Sequence, residues 1–117
     1  MLEYRENLAE KIIELDIGGD ISTEEVENFV KNVKPRIAEW GKIKLLQRIS
    51  DIPSVSPGAV YTDLKFLAEH TTGFDRCAVI ADHKLIEQIT KLIDAITPND
   101  IKTFTDEITA REWLLAA

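Results

Sequence analysis

A helix signal that runs straight into an uninterrupted apolar strand constrains this chain most. Ser56-Pro57-Gly58-Ala59-Val60-Tyr61-Thr62-Asp63-Leu64-Lys65-Phe66 opens a helix that closes at Gly73-Phe74, and Arg76-Cys77-Ala78-Val79-Ile80-Ala81-Asp82 follows at once. Ser-Pro favours a helix start and Gly a helix stop. A short apolar run without alternation is the pattern of a strand buried on both faces of a parallel sheet. The pair therefore predicts a wound α/β domain.

The other segments extend that pattern. Leu2 to Tyr4 reads as a short strand and Asn7 to Glu10 as a polar turn. Lys11 to Ile17 then places Ile13, Leu15 and Ile17 on one face and Glu14 and Asp16 on the other, the period of a strand. Gly18-Gly19 ends it. Ser22-Thr23-Glu24-Glu25 is a capping box, and Val26, Phe29, Val30, Val33, Ile37 and Trp40 follow at helical spacing, with a kink expected at Pro35. Gly41 stops this helix, and Lys42 to Ile49 forms the next strand.

Leu85, Ile86, Ile89, Leu92, Ile93 and Ile96 form a helix ending before Pro98, and Ile101 to Phe104 is the last strand. Asp106 or Thr105 caps a final helix with Ala110, Trp113 and Leu114. The order is β-β-α-β-α-β-α-β-α. Glu14, Asp16, Lys44 and Arg48 share an outer sheet face, so the helices are expected mainly on one face, with the other partly wet.

A length of 117 residues fits a single domain over residues 1–117, which should bury roughly two thirds of its unfolded surface. The net charge is −7 and the basic residues are scattered, which argues against nucleic acid and anionic membranes as partners. One cysteine excludes an intramolecular disulfide, and no apolar run approaches the ~18 residues of a membrane span. A reduced, cytoplasmic setting is expected. Asp16-Ile17-Gly18-Gly19-Asp20 lacks both GxGxxG and a Walker lysine, and its aspartates would repel a phosphate.

Several stretches resemble one family. Gly41-Lys42-Ile43-Lys44-Leu45-Leu46, Asp63-Leu64-Lys65-Phe66 with His70, Phe74 through Asp82, and Phe104 with Ala110 and Trp113-Leu114 are similar to the stand-alone bacterial SpoIIAA-like proteins. These belong to the STAS superfamily and share a shape with CRAL-TRIO (Sec14) domains. The resemblance implies an α/β SpoIIAA-like (STAS) fold with a five-stranded mixed sheet and four helices. It also implies a homodimer and no enzymatic activity, and it brings no cofactor and no metal. Where the family's phospho-switches carry serine before glycine, this chain has Pro57 before Gly58, so that switch is not expected. Ser56 is expected to act as a helix cap.

Parallel sheets bind ligands beyond the carboxyl ends of their strands. That rim should carry Gly18, Asp51, Ser56, Asp82, His83 and Asp106, an acidic set with one histidine suited to a cation or to acid–base work. The simpler role for Asp82 and Asp106 is helix capping. His70 suits the end of its helix, and Cys77 reads as a small buried hydrophobe. The helix from Ser56 carries more apolar surface than one sheet contact requires. Tyr61, Leu64 and Phe66, with Trp40 and Leu85, are therefore candidates for an interface or an apolar cleft. The expected function is a non-enzymatic interaction or regulatory module with a protein partner. The alternatives are a carrier of a small apolar, lipid-like ligand and an enzyme using Asp82 and His83.

Overall fold

A computed structural model of the chain describes residues 2–18, 22–49, 74–82 and 101–116. Its elements are β1 Leu2–Asn7, β2 Ile12–Ile17, α1 Thr23–Trp40, β3 Ile43–Ile49, β4 Phe74–Ile80, β5 Ile101–Phe104 and α2 Glu107–Leu115. The strands form one five-stranded sheet in the order β1-β2-β3-β4-β5. β1 pairs antiparallel with β2, and β2 through β5 are parallel, so the sheet is mixed. The two described helices are α1 and α2; the further helices expected from Ser56 and from Leu85 lie outside the described residues.

The β1–β2 hairpin turns through Leu8–Lys11, and Lys11 takes a positive φ of 55°. The first strand was expected to stop at Tyr4 but continues to Asn7. Arg5, Glu6 and Asn7 find cross-strand partners in Glu14, Ile13 and Ile12, and backbone pairing overrides their polar character.

At the start of α1, the Ser22 Oγ accepts the Glu25 N–H at 3.2 Å and the Glu25 carboxylate accepts the Ser22 N–H at 3.2 Å. This is the expected capping box. The helix spans both sides of Pro35 as one element and ends at Gly41, whose φ of 78° and ψ of −128° suit glycine.

Alternation splits the apolar residues into two layers. Ile13, Leu15, Ile17, Leu45 and Val79 face α1 and pack with its Phe29, Val30 and Val33. Ile12, Leu46, Ala78 and Phe104 point the other way and pack with Ala110 and Leu114 of α2. The face expected to be partly wet is thus covered by α2 over its β3–β5 half. There Phe104 meets Trp113 at 5.6 Å between ring centroids. Arg76 lies 4.7 Å over the Trp113 ring and its Nη1 donates to the Trp113 carbonyl at 2.7 Å, so a cation answers the negative end of α2.

Candidate functional site

The parallel strands end together at Ile17, Ile49, Ile80 and Phe104, which defines the expected rim. Asp106 stands there as the α2 cap. Its Oδ2 accepts the Thr109 N–H at 2.8 Å and the Thr109 hydroxyl at 2.7 Å, bonds that hold its carboxyl below the usual range. Asp82 is exposed just beyond β4. Asp51, Ser56 and His83 lie outside the described residues, as do Tyr61, Leu64, Phe66, Leu85 and the positions His70 and Pro57. Trp40, at the end of α1, is half-buried against the α1-side layer, with the Arg36 guanidinium 5.6 Å from its ring. Among the described residues, no three His, Cys, Asp or Glu side chains are grouped to hold a metal ion.

A different cluster occupies the sheet face beside α2. Glu14 and Asp16 lie on that face of β2, and Arg48 of β3 is the cross-strand partner of Asp16. Arg48 Nη2 donates to Glu14 Oε1 at 2.6 Å, Nη1 lies 3.4 Å from Asp16 Oδ1, and Nε engages Glu107 of α2. Arg111, one turn along α2, donates to Glu10 in the hairpin turn at 2.6 Å and lies 3.6 Å from both Glu14 and Glu107. Arg5 pairs with Asp16 from the outer strand. Asn7 orients Glu10, its Nδ2 donating to Glu10 Oε1 at 2.8 Å and its Oδ1 accepting the Glu10 N–H at 3.1 Å.

Protonation follows from this geometry. Burial pushes Glu14 upward, but the hydrogen bond and charge of Arg48, with Arg111 behind it, outweigh burial and hold its carboxyl low. Arg48 likewise holds Glu107 low. Burial alone would lower Arg48, and Glu107 with Glu14 raises it instead. An open pocket of about 570 Å³ adjoins the cluster, lined by Arg5, Glu6, Asn7, Leu8, Ala9, Glu14 and Arg48. Its guanidiniums and carboxylates already answer one another, so the cluster works as a clamp holding α2 and the hairpin to the sheet. Among the described residues, each of its charged groups has a partner of opposite sign.

Apolar side chains surround the clamp in the open. Leu8 is 62% exposed, Ile108 70% and Leu115 45%. Ile108 and Leu115 are seven residues apart on α2, two turns, and form one outward stripe. On the opposite sheet face Gln47 is fully buried between Leu15 and Val79, and among the described residues neither its Oε1 nor its Nε2 has a hydrogen-bond partner. Sequence reasoning placed Glu14, Asp16 and Arg48 on one face but missed Glu10, Glu107 and Arg111. The spacing of Glu107 and Arg111, four apart on a helix, was the available signal. For Gln47, position 47 falls on the apolar phase of β3, between Leu45 and Ile49.

A family model described as SpoIIAA-like matches residues 12–115. Among solved structures, the chain is similar to one from Shewanella loihica PV-4, described as an uncharacterized protein from the DUF3478 family with a SpoIIAA-like fold. That alignment covers 97% of this chain and 92% of the other, with a TM-score of 0.70 and 24% identity, a likeness of fold. No curated protein matches the chain.

Proposed function

Because the chain belongs to the SpoIIAA-like family, we propose that it is a non-enzymatic STAS-like interaction module whose protein partner docks on the outer stripe of α2. The carrying observation is that Ile108 and Leu115 stand exposed on a helix clamped rigidly to the sheet by Arg48, Arg111 and Arg76. A fixed apolar stripe with a charged surround has the composition of a protein-binding patch, in which desolvation supplies affinity and the rim supplies register. The partner that fits presents apolar side chains at helical spacing. Saturation of the clamp's carboxylates by guanidiniums supports a role without catalysis.

Affinity capture from a native lysate, with wild type beside Ile108→Asp/Leu115→Asp, tests this reading. A specific partner retained by wild type and lost from a variant of unchanged melting temperature supports it. Equal retention by both proteins contradicts docking on this stripe.

Gln47 favours a second reading, a carrier of a small apolar ligand. A buried amide without a partner costs about 1–3 kcal/mol, and a ligand with one polar group among apolar atoms would offset that cost. Native mass spectrometry of freshly purified protein separates the two readings, since a carried ligand adds a discrete mass that Gln47→Leu should remove.

A further inference from the structure

Among the described strands, β1 is the terminal one of the sheet, and its six residues alternate in a way that suits a second copy of itself. The Leu2 N–H donates to Glu25 Oε2 of α1 at 2.6 Å, a group outside β2, where Ile17 is the cross-strand partner of Leu2. Hydrogen-bonding groups alternate sides along an antiparallel strand, so the backbone groups of Tyr4 and Glu6 also face the outer edge, while Glu3, Arg5 and Asn7 bond into β2. An unpaired outer edge is a template for another strand. The side chains select which one.

We propose that β1 is a self-pairing edge through which two copies join antiparallel about a two-fold axis at Tyr4. In this register the Tyr4 N–H and C=O bond to their own counterparts. Glu3 of each copy stands opposite Arg5 of the other on the α2 side of the sheet. Shifting the register in either direction places Glu3 opposite Glu3 or Arg5 opposite Arg5, and like charges directly opposite are destabilising. The pattern Glu-Tyr-Arg is therefore self-complementary at one register and repulsive at its neighbours of the same facing.

An independent feature points the same way. Within one copy Glu3 is the cross-strand partner of Asp16, a like-charge pairing. Arg5 already engages Asp16 yet keeps 56% of its side chain exposed, and a guanidinium has further donors to offer. Arg5 of the second copy would bring a cation to the outer side of Glu3. The contact is isologous and closes as a dimer, so it uses the β1 edge without propagating into a fibre. It leaves the α2 stripe on the clamp side open to a different partner.

The experiment is sedimentation equilibrium of the full chain and of two single charge reversals, Glu3→Arg and Arg5→Glu, with folding checked by circular dichroism. Wild type should be a dimer at micromolar concentration. Each variant alone should dissociate at least about tenfold more readily, since each opposes like charges twice. Mixed in equal amounts, the two should form a heterodimer, because each of its two cross-strand contacts then joins Arg to Glu. This complementation keeps the test valid even where one variant is less stable alone. A wild type that stays monomeric to about 100 µM, a dimer unaffected by Arg5→Glu, or a mixture without heterodimer would each overturn the proposal.

Discussion

Arg48 and Glu14, on adjacent parallel strands and 34 residues apart in sequence, meet at 2.6 Å through Nη2 and Oε1. The same guanidinium reaches Glu107 at the start of α2. One side chain therefore ties two strands to the last helix. The Glu14 side chain is only 13% exposed, so removing its partner strands a poorly solvated carboxylate. Arg48→Met should cost about 2 kcal/mol in urea unfolding, and amide exchange should accelerate first in α2. Unchanged exchange in α2 would show that the clamp does not hold it.

Acid should loosen the same clamp. The carboxyls of Glu14 and Glu107 are held below their ordinary values in the folded state. Their stabilisation is therefore fully present above the unfolded-state value of about 4.3 and is lost as pH falls through the lower folded values. The melting temperature should be flat above about pH 6 and should fall progressively below about pH 4.5. In Arg48→Met the acid-induced fall should be smaller, because the largest lowering influence on both carboxyls is gone and Arg111 remains.

Much of the fold was legible because it rests on local periodicity. The alternation of Ile13, Leu15 and Ile17 against Glu14 and Asp16 identified β2, Ser22 with Glu25 marked the start of α1, and Gly41 marked its end. The extension of β1 through Arg5-Glu6-Asn7 was not legible, because its cause is pairing with β2. The clamp was half legible. Glu14, Asp16 and Arg48 share a face by strand parity, but the Arg111–Glu10 bond joins residues 101 positions apart and depends on α2 crossing the second sheet face. Sequence parity cannot choose the face on which a terminal helix packs.

Gln47 offers a test in the opposite direction. Its amide is fully buried without a hydrogen-bond partner among the described residues, so an apolar residue of similar volume removes a desolvation cost at little loss of packing. In ligand-free protein, Gln47→Met should raise stability by about 1 kcal/mol in chemical denaturation. A loss of stability would show that the amide is satisfied in solution.

Gly41 should resist replacement for backbone reasons alone. A Cβ there would meet nothing within 4 Å, but φ is +78°. With ψ at −128°, that conformation is costly for an L side chain. Gly41→Ala should cost about 1–3 kcal/mol, read as a lower urea midpoint with an unchanged m-value.

Docking of a protein on the outer stripe of α2 can be read out by site-specific photo-crosslinking in the native host. A photoreactive residue is placed at Ile108 and, as a control on an exposed position of α1, at Lys34. A discrete adduct with another protein is expected from position 108 and none from position 34. No adduct from position 108, or the same adduct from both positions with equal yield, would contradict it.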